Sequence, residues 1–310
     1  MARNRKRVKS TKVAIIGAGP GGISAAIQLY RFQIPFFLFE KDKIGGLINE
    51  ASLVENYPGM PAISAFELVE SWKAHLNHFG IEVYPEEVLE TAWKEDHFSI
   101  LTNKGEYVSE FLIVASGSEH VSHPLLESAD PALKEFLFYQ TAKIRNQSNQ
   151  VFAILGAGDI GVDYALSLSR KNKVHLLYRG ERIKALPALR ERIASHSITL
   201  WPCSSIQKIE KGRRKALEIS LIQKEMEIPL EVDGLIAAIG RKAAKSFYTQ
   251  ELYVQEKELI QKGRLYLVGD VHNGIYRQSS IAVGEGVKGA MKIYHLLKDC
   301  SHLEVSHTME

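Results

Sequence analysis

Cysteine is scarce in this chain of 310 residues: only Cys203 and Cys300 occur, 97 positions apart. So few thiols exclude a disulfide framework, and no cysteine–histidine cluster has the spacing of a zinc site. We therefore expect no metal centre and a reducing, cytoplasmic setting. Long apolar runs are also missing, since none approaches the roughly 20 residues that cross a bilayer. The apolar run after the basic N-terminus, Val13 to Ile16, has only the length of a strand, which argues against a signal peptide.

Excess charge of one sign is small, with a formal net charge of +3. Part of this excess lies in a basic N-terminal arm, which comprises Arg3, Arg5, Lys6, Arg7, Lys9 and Lys12. Two interpretations of the arm stay open, a solvated segment or a landing surface for an acidic partner. The modest net charge argues against nucleic acid as a partner.

Two segments of the chain share one plan. They read "KVAIIGAGPGGISAAIQLYRFQIPFFLFEKD" at 12–42 and "QVFAILGAGDIGVDYALSLSRKNKVHLLYRGE" at 150–181. In each, an apolar strand meets G-x-G-x-x-G, a helix with apolar residues at helical spacing follows, and a second apolar strand ends the segment. The pattern predicts a βαβ unit that binds a dinucleotide, and it occurs twice.

The three glycines of such a loop have separate physical roles. The first permits the tight turn off the strand, the second lets the backbone approach a pyrophosphate, and the third lets helix and strand pack closely. The pyrophosphate then lies at the helix N-terminus, where free N–H groups and the helix dipole favour an anion. These positions are Gly17, Gly19 and Gly22 in the first loop and Gly156, Gly158 and Gly161 in the second.

The two loops differ where the nucleotide is selected, 23 residues after the first glycine. Glu40 stands there in the first copy and Arg179 in the second. A carboxylate accepts hydrogen bonds from ribose hydroxyls and repels a 2′-phosphate, whereas a guanidinium pairs with that phosphate. The first loop is therefore expected to hold the adenosine half of FAD or NAD, and the second to prefer NADP(H) over NAD(H), although Gly180 adds no charge beside Arg179.

Three further apolar strands end in small residues, within "EFLIVASGS", "VDGLIAAIGR" and "GRLYLVGDV". Small residues at a strand end let the backbone pass close to a bound nucleotide. The last strand ends in Gly269 and Asp270, and an amphipathic helix follows, whose N-terminus could stabilise negative charge on a reduced flavin. These features favour a flavin at the first site.

Taken together, the motifs resemble those of the low-molecular-weight thioredoxin reductase family. The resemblance covers about residues 11–297 and rests on "GAGPGG", "FEKDKIGGLI", "VENYPGMP", "IVASGS", "GAGDIG", "DGLIAAIGR" and "GDVHNGIYRQSSIAVGEG". It implies an α/β fold with two Rossmann-like domains, in which the NAD(P)-binding domain (118–242) is inserted into the FAD-binding domain (1–117 plus 243–310). From the family we also expect a homodimer.

The resemblance also assigns residues to both sites, and Asn56 is expected near the isoalloxazine. The FAD-binding residues it implies are Gly17, Gly19, Pro20, Gly21, Gly22, Glu40, Lys41, Gly46, Leu47, Asn56, Ala115, Gly117, Gly269, Asp270, Arg277, Gln278 and Ser279. The NAD(P)-binding residues it implies are Gly156, Gly158, Asp159, Ile160, Gly161, Arg179, Lys184, Ile239, Gly240 and Arg241.

The chain departs from that family at the reactive disulfide. Aligned on Gly156, the two family cysteines fall on or near Tyr139 and Ala142, neither of which can form a disulfide. Cys203 is expected at a strand end and Cys300 beyond the last helix, so neither supplies a redox pair. Dithiol exchange needs a thiolate beside a partner sulfur. We therefore expect no catalytic side chain beyond the flavin itself, which would pass electrons directly to the acceptor.

Several acceptors remain open. Ferredoxin/flavodoxin-type NADP reductases resemble this chain in having both loops without the disulfide, which makes an acidic electron-transfer protein the first expectation. Quinones, ferric chelates and low-molecular-weight disulfides are alternatives, although bacillithiol disulfide reductases are expected to carry a cysteine where Gly21 follows Pro20. A non-catalytic redox sensor or interaction protein that binds FAD and nucleotide is the remaining alternative.

Overall fold

The chain folds into two compact units. The computed structural model describes residues 8–51 and 53–307, with side chains as far as residue 299. One unit, the outer unit, comprises the residues up to Glu119 together with those from Lys242 onward, and the inserted unit runs from His120 to Arg241. The boundaries expected from the sequence lie two residues away at the first crossing and one residue away at the second.

The outer unit begins with alternating strands and helices and then turns to hairpins. Its first elements are β1 (Lys9–Ile16), α1 (Pro20–Arg31), β2 (Phe36–Glu40), β3 (Leu53–Val54), β4 (Ile63–Ser64), α2 (Ala65–His78), β5 (Val83–Pro85), β6 (Val88–Lys94), β7 (His97–Thr102) and β8 (Glu106–Val114). The next strand, β9 (Ser118–His120), begins in this unit and ends at the first residue of the inserted unit.

The inserted unit repeats the strand–helix alternation and then adds a meander of strands. Its elements are α3 (Pro124–Glu127), β10 (Leu137–Phe138), β11 (Val151–Leu155), α4 (Asp159–Ser169), β12 (Lys173–Leu177), α5 (Pro187–Ile193), β13 (Ile198–Trp201), β14 (Ser204–Lys211), β15 (Leu217–Gln223), β16 (Met226–Val232) and β17 (Gly234–Ala237). The chain then continues through β18 (Arg241–Ala243), α6 (Gln250–Gln261), β19 (Leu265–Leu267) and α7 (Ser279–His307).

A seven-stranded sheet forms the centre of the outer unit. Its order is β5-β2-β1-β8-β7-β6, with β19 also paired to β8. The pairs of β1 with β2 and β8 are parallel, and β7 is antiparallel to both of its neighbours. Val13, Ala14 and Ile15 of β1 are completely buried, as expected for a parallel strand covered on both faces.

Helices α1 and α7 of the outer unit cross at a glycine contact. A Cβ on Gly286 would lie only 2.1 Å from the carbonyl oxygen of Gly21, so the two backbones meet directly. The Ser24 hydroxyl donates to the carbonyl of Val283 at 3.0 Å and joins the helices. This contact fixes the helix that follows the first glycine loop against the C-terminal helix.

The inserted unit contains a parallel sheet in the order β10-β17-β11-β12-β13 and a separate antiparallel sheet β14-β15-β16. The sequence patterns did not predict the antiparallel sheet. Strand β15 alternates fully buried apolar residues with less buried ones, and its Ile219 and Leu221 are fully buried.

One expectation about the C-terminus is wrong. Helix α7 runs to His307, so Cys300 lies inside the last helix and not beyond it. After Gly289 the sequence contains neither glycine nor proline, so nothing in it interrupts the helix before His307.

Candidate functional site

The first glycine loop joins β1 to α1, and its three glycines meet different surroundings. Gly17 has φ +103°, and a Cβ there would lie 2.4 Å from the carbonyl oxygen of Ala115. A Cβ on Gly22 would lie 1.8 Å from the carbonyl oxygen of Gly17. Gly19, in contrast, would meet no protein atom within 4 Å. Packing therefore requires the first and third glycines, while the middle one borders open space that a ligand can fill.

The second loop, between β11 and α4, repeats this arrangement in the inserted unit. Gly156 has φ +113° and a Cβ there would lie 2.3 Å from the carbonyl oxygen of Ala238. A Cβ on Gly161 would lie 2.0 Å from the Gly156 carbonyl oxygen, and Gly158 again meets nothing within 4 Å. Both loops thus have the same local geometry, although the sequences around them differ.

Both helices that follow the loops begin without a side-chain cap. Gly19 and Gly158 are the N-cap residues of α1 and α4, and neither has a side chain that could accept a hydrogen bond from the first turn. The N–H groups of a first helical turn have no acceptor within the helix. An anion placed there gains those donors together with the favourable end of the helix dipole.

Glu40 at the end of β2 is held against the first loop. Its Oε2 accepts the backbone N–H of Ala18 at 2.8 Å, and its Oε1 accepts that of Asp42 at 2.9 Å. The carboxylate therefore has a fixed position beside the glycines. Gly46 is also brought to the loop, because a Cβ there would lie 3.4 Å from the Cα of Gly19, and Leu47 follows it in the same 3-10 turn.

A cleft opens between these elements. Its walls come from the ends of β1 and β2, from the segment between β5 and β6, and from two further loops of the outer unit. It is lined by Ile16, Gly17, Phe39, Glu40, Lys41, Glu86, Glu87, Val88, Ser116, Glu119, Ala244, Ser246 and Phe247. The cleft contains the predicted Gly17, Glu40 and Lys41.

The sequence interpretation missed the wall formed by Glu86, Glu87 and Val88. Strand β5 pairs in parallel with β2, so the residues that follow it emerge at the same sheet edge as Glu40. A strand of three residues leaves almost no periodic signal, but a turn proline followed by two acidic residues does mark its end. Glu285 was also missed: its Oε2 accepts the N–H of Gly269 at 2.6 Å and a side-chain N–H of Asn273 at 2.9 Å.

The residues expected near a flavin ring come from two separate segments that meet. The side chain of Asn56 donates to Oε1 of Gln278 at 2.6 Å across 222 positions of sequence. Gln278 directly precedes α7, which begins at Ser279. The hydroxyl oxygen of Ser280 is buried and has no hydrogen-bond partner in the protein. An orphaned polar atom at a helix start, together with the open space at Gly19, fits a bound cofactor with polar edges.

The remaining predicted residues of this site occupy loop positions beside those segments. Pro20 and Gly21 form the first turn of α1, while Ala115 and Gly117 follow β8. Gly117 has φ +70° and meets no protein atom within 4 Å of an added Cβ. Asp270 and Arg277 lie on the two sides of the exposed Ile275, between β19 and α7.

In the inserted unit, the segment after β12 folds back onto the second loop. The backbone N–H of Lys184 donates to the carbonyl of Ala157 at 3.0 Å, and that of Leu186 to Oδ1 of Asp159 at 2.8 Å. Arg179 is exposed two residues beyond the strand. Burial lowers the pKa of His123, and the positive charge of Arg179 lowers it further.

The other predicted residues of the second site follow the same sheet edge. Ile160 lies in the first turn of α4 and is 41% exposed. Ile239, Gly240 and Arg241 come after β17, and Gly240 has φ +126°. Because β11, β12 and β17 are parallel neighbours, their carboxyl ends bring these residues and Arg179 to one edge of the sheet.

An aromatic pair includes Tyr139, one of the two positions where the family resemblance would place a cysteine. The ring of Tyr139 stacks on His120 with centroids 3.9 Å apart. Its hydroxyl accepts the N–H of His123 at 3.0 Å and donates to Glu127 at 2.6 Å. Burial, and then the hydrogen bond to Glu127, raises the pKa of Tyr139.

Cys203 is the free, exposed cysteine of the described side chains. It lies in the turn after β13, as expected, and its N–H donates to the carbonyl of Gly180 at 3.1 Å. Within residues 8–51 and 53–307, no group of three or more His, Cys, Asp or Glu is placed to hold a metal ion. No helix among those residues is both long and apolar enough to span a membrane.

Similarity to known proteins covers most of the chain. Residues 11–286 match the family described as pyridine nucleotide-disulphide oxidoreductase. The chain is 26% identical to a thioredoxin reductase of Buchnera aphidicola, over 92% of this chain and 96% of that protein. It is 27% identical to a ferredoxin–NADP reductase of Lacticaseibacillus paracasei, over 91% and 87% respectively. The fold matches the crystal structure of Lactococcus lactis thioredoxin reductase with a TM-score of 0.82, at 23% identity and over 93% and 99% of the two chains.

Proposed function

The chain belongs to the pyridine nucleotide-disulphide oxidoreductase family, and within this family of flavin-dependent oxidoreductases we propose that it delivers electrons to its acceptor without a dithiol relay. The single observation that supports the proposal is the packed Tyr139–His120 pair, because the family resemblance would place a reactive cysteine on or near Tyr139. A phenol and an imidazole cannot undergo thiol–disulfide exchange. The acceptor must therefore reach the flavin itself.

In the proposed site, FAD lies in the outer unit and the nicotinamide nucleotide in the inserted unit. The Gly19 backbone and the start of α1 would hold the FAD pyrophosphate, and Glu40 the adenosine ribose. Asn56, Gln278 and the N-terminus of α7 would border the ring. When bound, FAD supplies the centre that accepts a hydride from the nicotinamide and releases electrons to the acceptor. The protein contributes orientation and fixed dipoles, and no side-chain acid or base is required.

We infer NADPH as the preferred donor, through Arg179 and Lys184. The backbone N–H of Lys184 donates to the carbonyl of Ala157, which ties the segment that carries this second cation to the glycine loop and supports the inference. The name of the ferredoxin–NADP reductase relative favours the same nucleotide. A guanidinium that pairs with the 2′-phosphate discriminates NADPH from NADH without affecting the common part of the two molecules.

Substitution Arg179→Ala is expected to lower kcat/KM for NADPH by roughly 10- to 100-fold, the effect of losing one or two charge-assisted hydrogen bonds. The kcat/KM for NADH should change less than about twofold, since NADH lacks the phosphate. Steady-state assays with both nucleotides measure the ratio. Arg213→Ala, an exposed arginine in the turn between β14 and β15, is the matched control. An unchanged NADPH/NADH ratio in Arg179→Ala would refute the role of Arg179.

The acceptor we favour is a small acidic electron-transfer protein of the ferredoxin or flavodoxin type. The similarity to a ferredoxin–NADP reductase supports this choice. The basic arm offers limited support, because both of its described lysines already have contacts within the protein. Lys12 pairs with Glu110, and Lys9 lies over the rings of Tyr84 and Tyr107. Arg3, Arg5, Lys6 and Arg7 lie outside the described residues. As in the relatives' family, we propose that the protein acts as a homodimer.

Acceptor identity can be tested by following the reoxidation of NADPH-reduced protein in a stopped-flow instrument. Ferredoxin, flavodoxin, quinone, ferric chelate, a low-molecular-weight disulfide and oxygen are the acceptors to compare. We expect reoxidation by ferredoxin or flavodoxin at rates well above those of oxygen. Faster reoxidation by quinone or ferric chelate than by either protein would favour the small-molecule alternative. A protein that binds both cofactors but passes no electrons would favour the sensor alternative.

A further inference from the structure

One wall of the cleft in the outer unit is tied to a distant hairpin turn. The wall comprises residues 85–88, from the last residue of β5 to the first of β6, and the turn comprises residues 102–105, from the last residue of β7 to the residue before β8. We call the contacts between them the wall clamp. The wall lines the cleft through Glu86, Glu87 and Val88, whereas no residue of the turn lines it.

The centre of the clamp is the carboxylate of Glu86, which is only 7% exposed. Its Oε2 accepts the hydroxyl of Thr102 at 2.6 Å, and the Tyr107 hydroxyl lies 2.9 and 3.0 Å from its two oxygens. Thr102 and Tyr107 are themselves buried, at 4% and 2% exposure. A buried carboxylate without such donors is costly, so these hydroxyls determine where the Glu86 side chain lies.

Backbone contacts continue the clamp on both sides of Glu86. The N–H of Glu87 donates to the side-chain oxygen of Asn103 at 3.1 Å, and the N–H of Asn103 donates to the carbonyl of Glu87 at 3.0 Å. The ammonium of Lys104 donates to the Pro85 carbonyl at 2.6 Å. On the cleft side, the N–H of Glu86 donates to the carbonyl of Glu40 at 3.1 Å. The wall is therefore held between the turn and the residue expected to bind the ribose.

The Thr102 hydroxyl also organises the turn itself. It accepts the backbone N–H groups of Lys104 at 3.1 Å and Gly105 at 3.0 Å while it donates to Glu86. One hydroxyl thus fixes the turn and the wall together. Valine has nearly the same shape as threonine but lacks the hydroxyl, so the main effect of Thr102→Val is the loss of these hydrogen bonds.

We propose that Thr102 is a positioning residue for the cofactor: through Glu86 it holds the 86–88 wall in the shape that receives the adenosine end of FAD. The inference rests on the proposed FAD site in the outer unit. A binding loop that is already ordered loses less conformational entropy when its ligand binds. Loosening the wall therefore weakens FAD binding, although neither Thr102 nor Tyr107 lines the cleft.

The test measures the dissociation of FAD from the purified holoprotein by the rise of flavin fluorescence on dilution, well below the unfolding transition. Thr102→Val is expected to raise the FAD dissociation constant about tenfold. This change corresponds to a part of the free energy that one hydrogen bond to a charged group contributes. Thr102→Ser should remain within twofold of the wild type, since it keeps the hydroxyl. Tyr107→Phe, which removes the other donor, should weaken binding in the same direction.

Two controls separate positioning from general stability. Thr91→Val makes the same substitution at a fully buried threonine of the outer unit whose hydroxyl has no partner, so FAD binding should not change. Ile113→Val lowers the melting temperature by thinning the core on the other face of the same sheet, in a cluster of buried residues that does not include Tyr107. Equal weakening of FAD binding by Ile113→Val and Thr102→Val at equal melting temperatures would overturn the positioning role.

The remaining outcomes also decide the question. Normal FAD binding in both Thr102→Val and Tyr107→Phe would overturn the clamp while leaving the proposed function intact. A wild-type protein that binds no FAD would overturn the proposed function itself.

Discussion

Substitution Gly19→Ala is expected to abolish tight FAD binding while leaving the protein folded. The added methyl group would meet no protein atom within 4 Å, and the backbone at Gly19 has φ −78°, which alanine adopts without strain. The methyl group would instead occupy the space where the pyrophosphate approaches the loop. Losing about two charge-assisted hydrogen bonds there raises the dissociation constant by roughly a hundredfold or more.

The measurement is FAD affinity by fluorescence, with circular dichroism of the apoprotein to verify the fold. Gly158→Ala is the matched control, because it makes the same change in the second loop and should weaken NADPH binding while leaving FAD binding intact. Gly22→Ala should instead impair folding, because its methyl group would lie 1.8 Å from a carbonyl oxygen. We expect the free energy of unfolding to fall by more than about 4 kcal/mol. Wild-type FAD affinity in Gly19→Ala would show that no pyrophosphate approaches that glycine.

Reduction of a thioredoxin disulfide is expected to proceed no faster than the background without enzyme. Thiol–disulfide exchange requires a thiolate beside a second sulfur, and Tyr139 and Ala142 are the residues on or near which we expect the family cysteines to fall. The chain's two cysteines offer no substitute, since Cys203 follows β13 in the inserted unit and Cys300 lies within α7 of the outer unit. In the same assay, a disulfide-containing reductase should therefore reduce thioredoxin, while this protein should show only the background rate.

The variant Cys203→Ser with Cys300→Ser makes this prediction sharper. Flavin reduction by NADPH and turnover with the best acceptor should both match the wild type. If the double variant loses either activity, the two single serine variants will show which thiol is responsible. If acceptor turnover alone is lost in the double variant, or if the wild type reduces thioredoxin disulfide, the protein contains a dithiol relay that its structure does not explain.

The glycine loops and the strands around them could be predicted from the sequence because their signals are local. Gly17 and Gly156 need positive φ values, which the glycine pattern encodes directly, and Glu40 ends its strand as the apolar run indicates. The family resemblance added Asn56 and Gln278, which meet in the structure although 222 positions separate them. No periodicity could have brought those two residues together.

The wall at Glu86 could not be predicted, because its position depends on long-range pairing. Strand β5 has only three residues, and its place beside β2 follows from the parallel sheet and not from its composition. The donors that hold Glu86 come from a hairpin 16 and 21 positions away. The end of α7 was missed for the opposite reason, since no glycine or proline after Gly289 marks a boundary before the C-terminus.

Anaerobic titration of the purified flavoprotein with NADPH, followed by the visible absorbance of the flavin, tests the central claim most directly. Flavin and a redox disulfide each accept two electrons, and NADPH donates two. We predict that a single equivalent of NADPH per flavin completes the bleaching in the wild type and in the double serine variant alike. A requirement for twice that amount would reveal a second redox centre, and a flavin that neither NADPH nor NADH bleaches would contradict the assignment as an oxidoreductase.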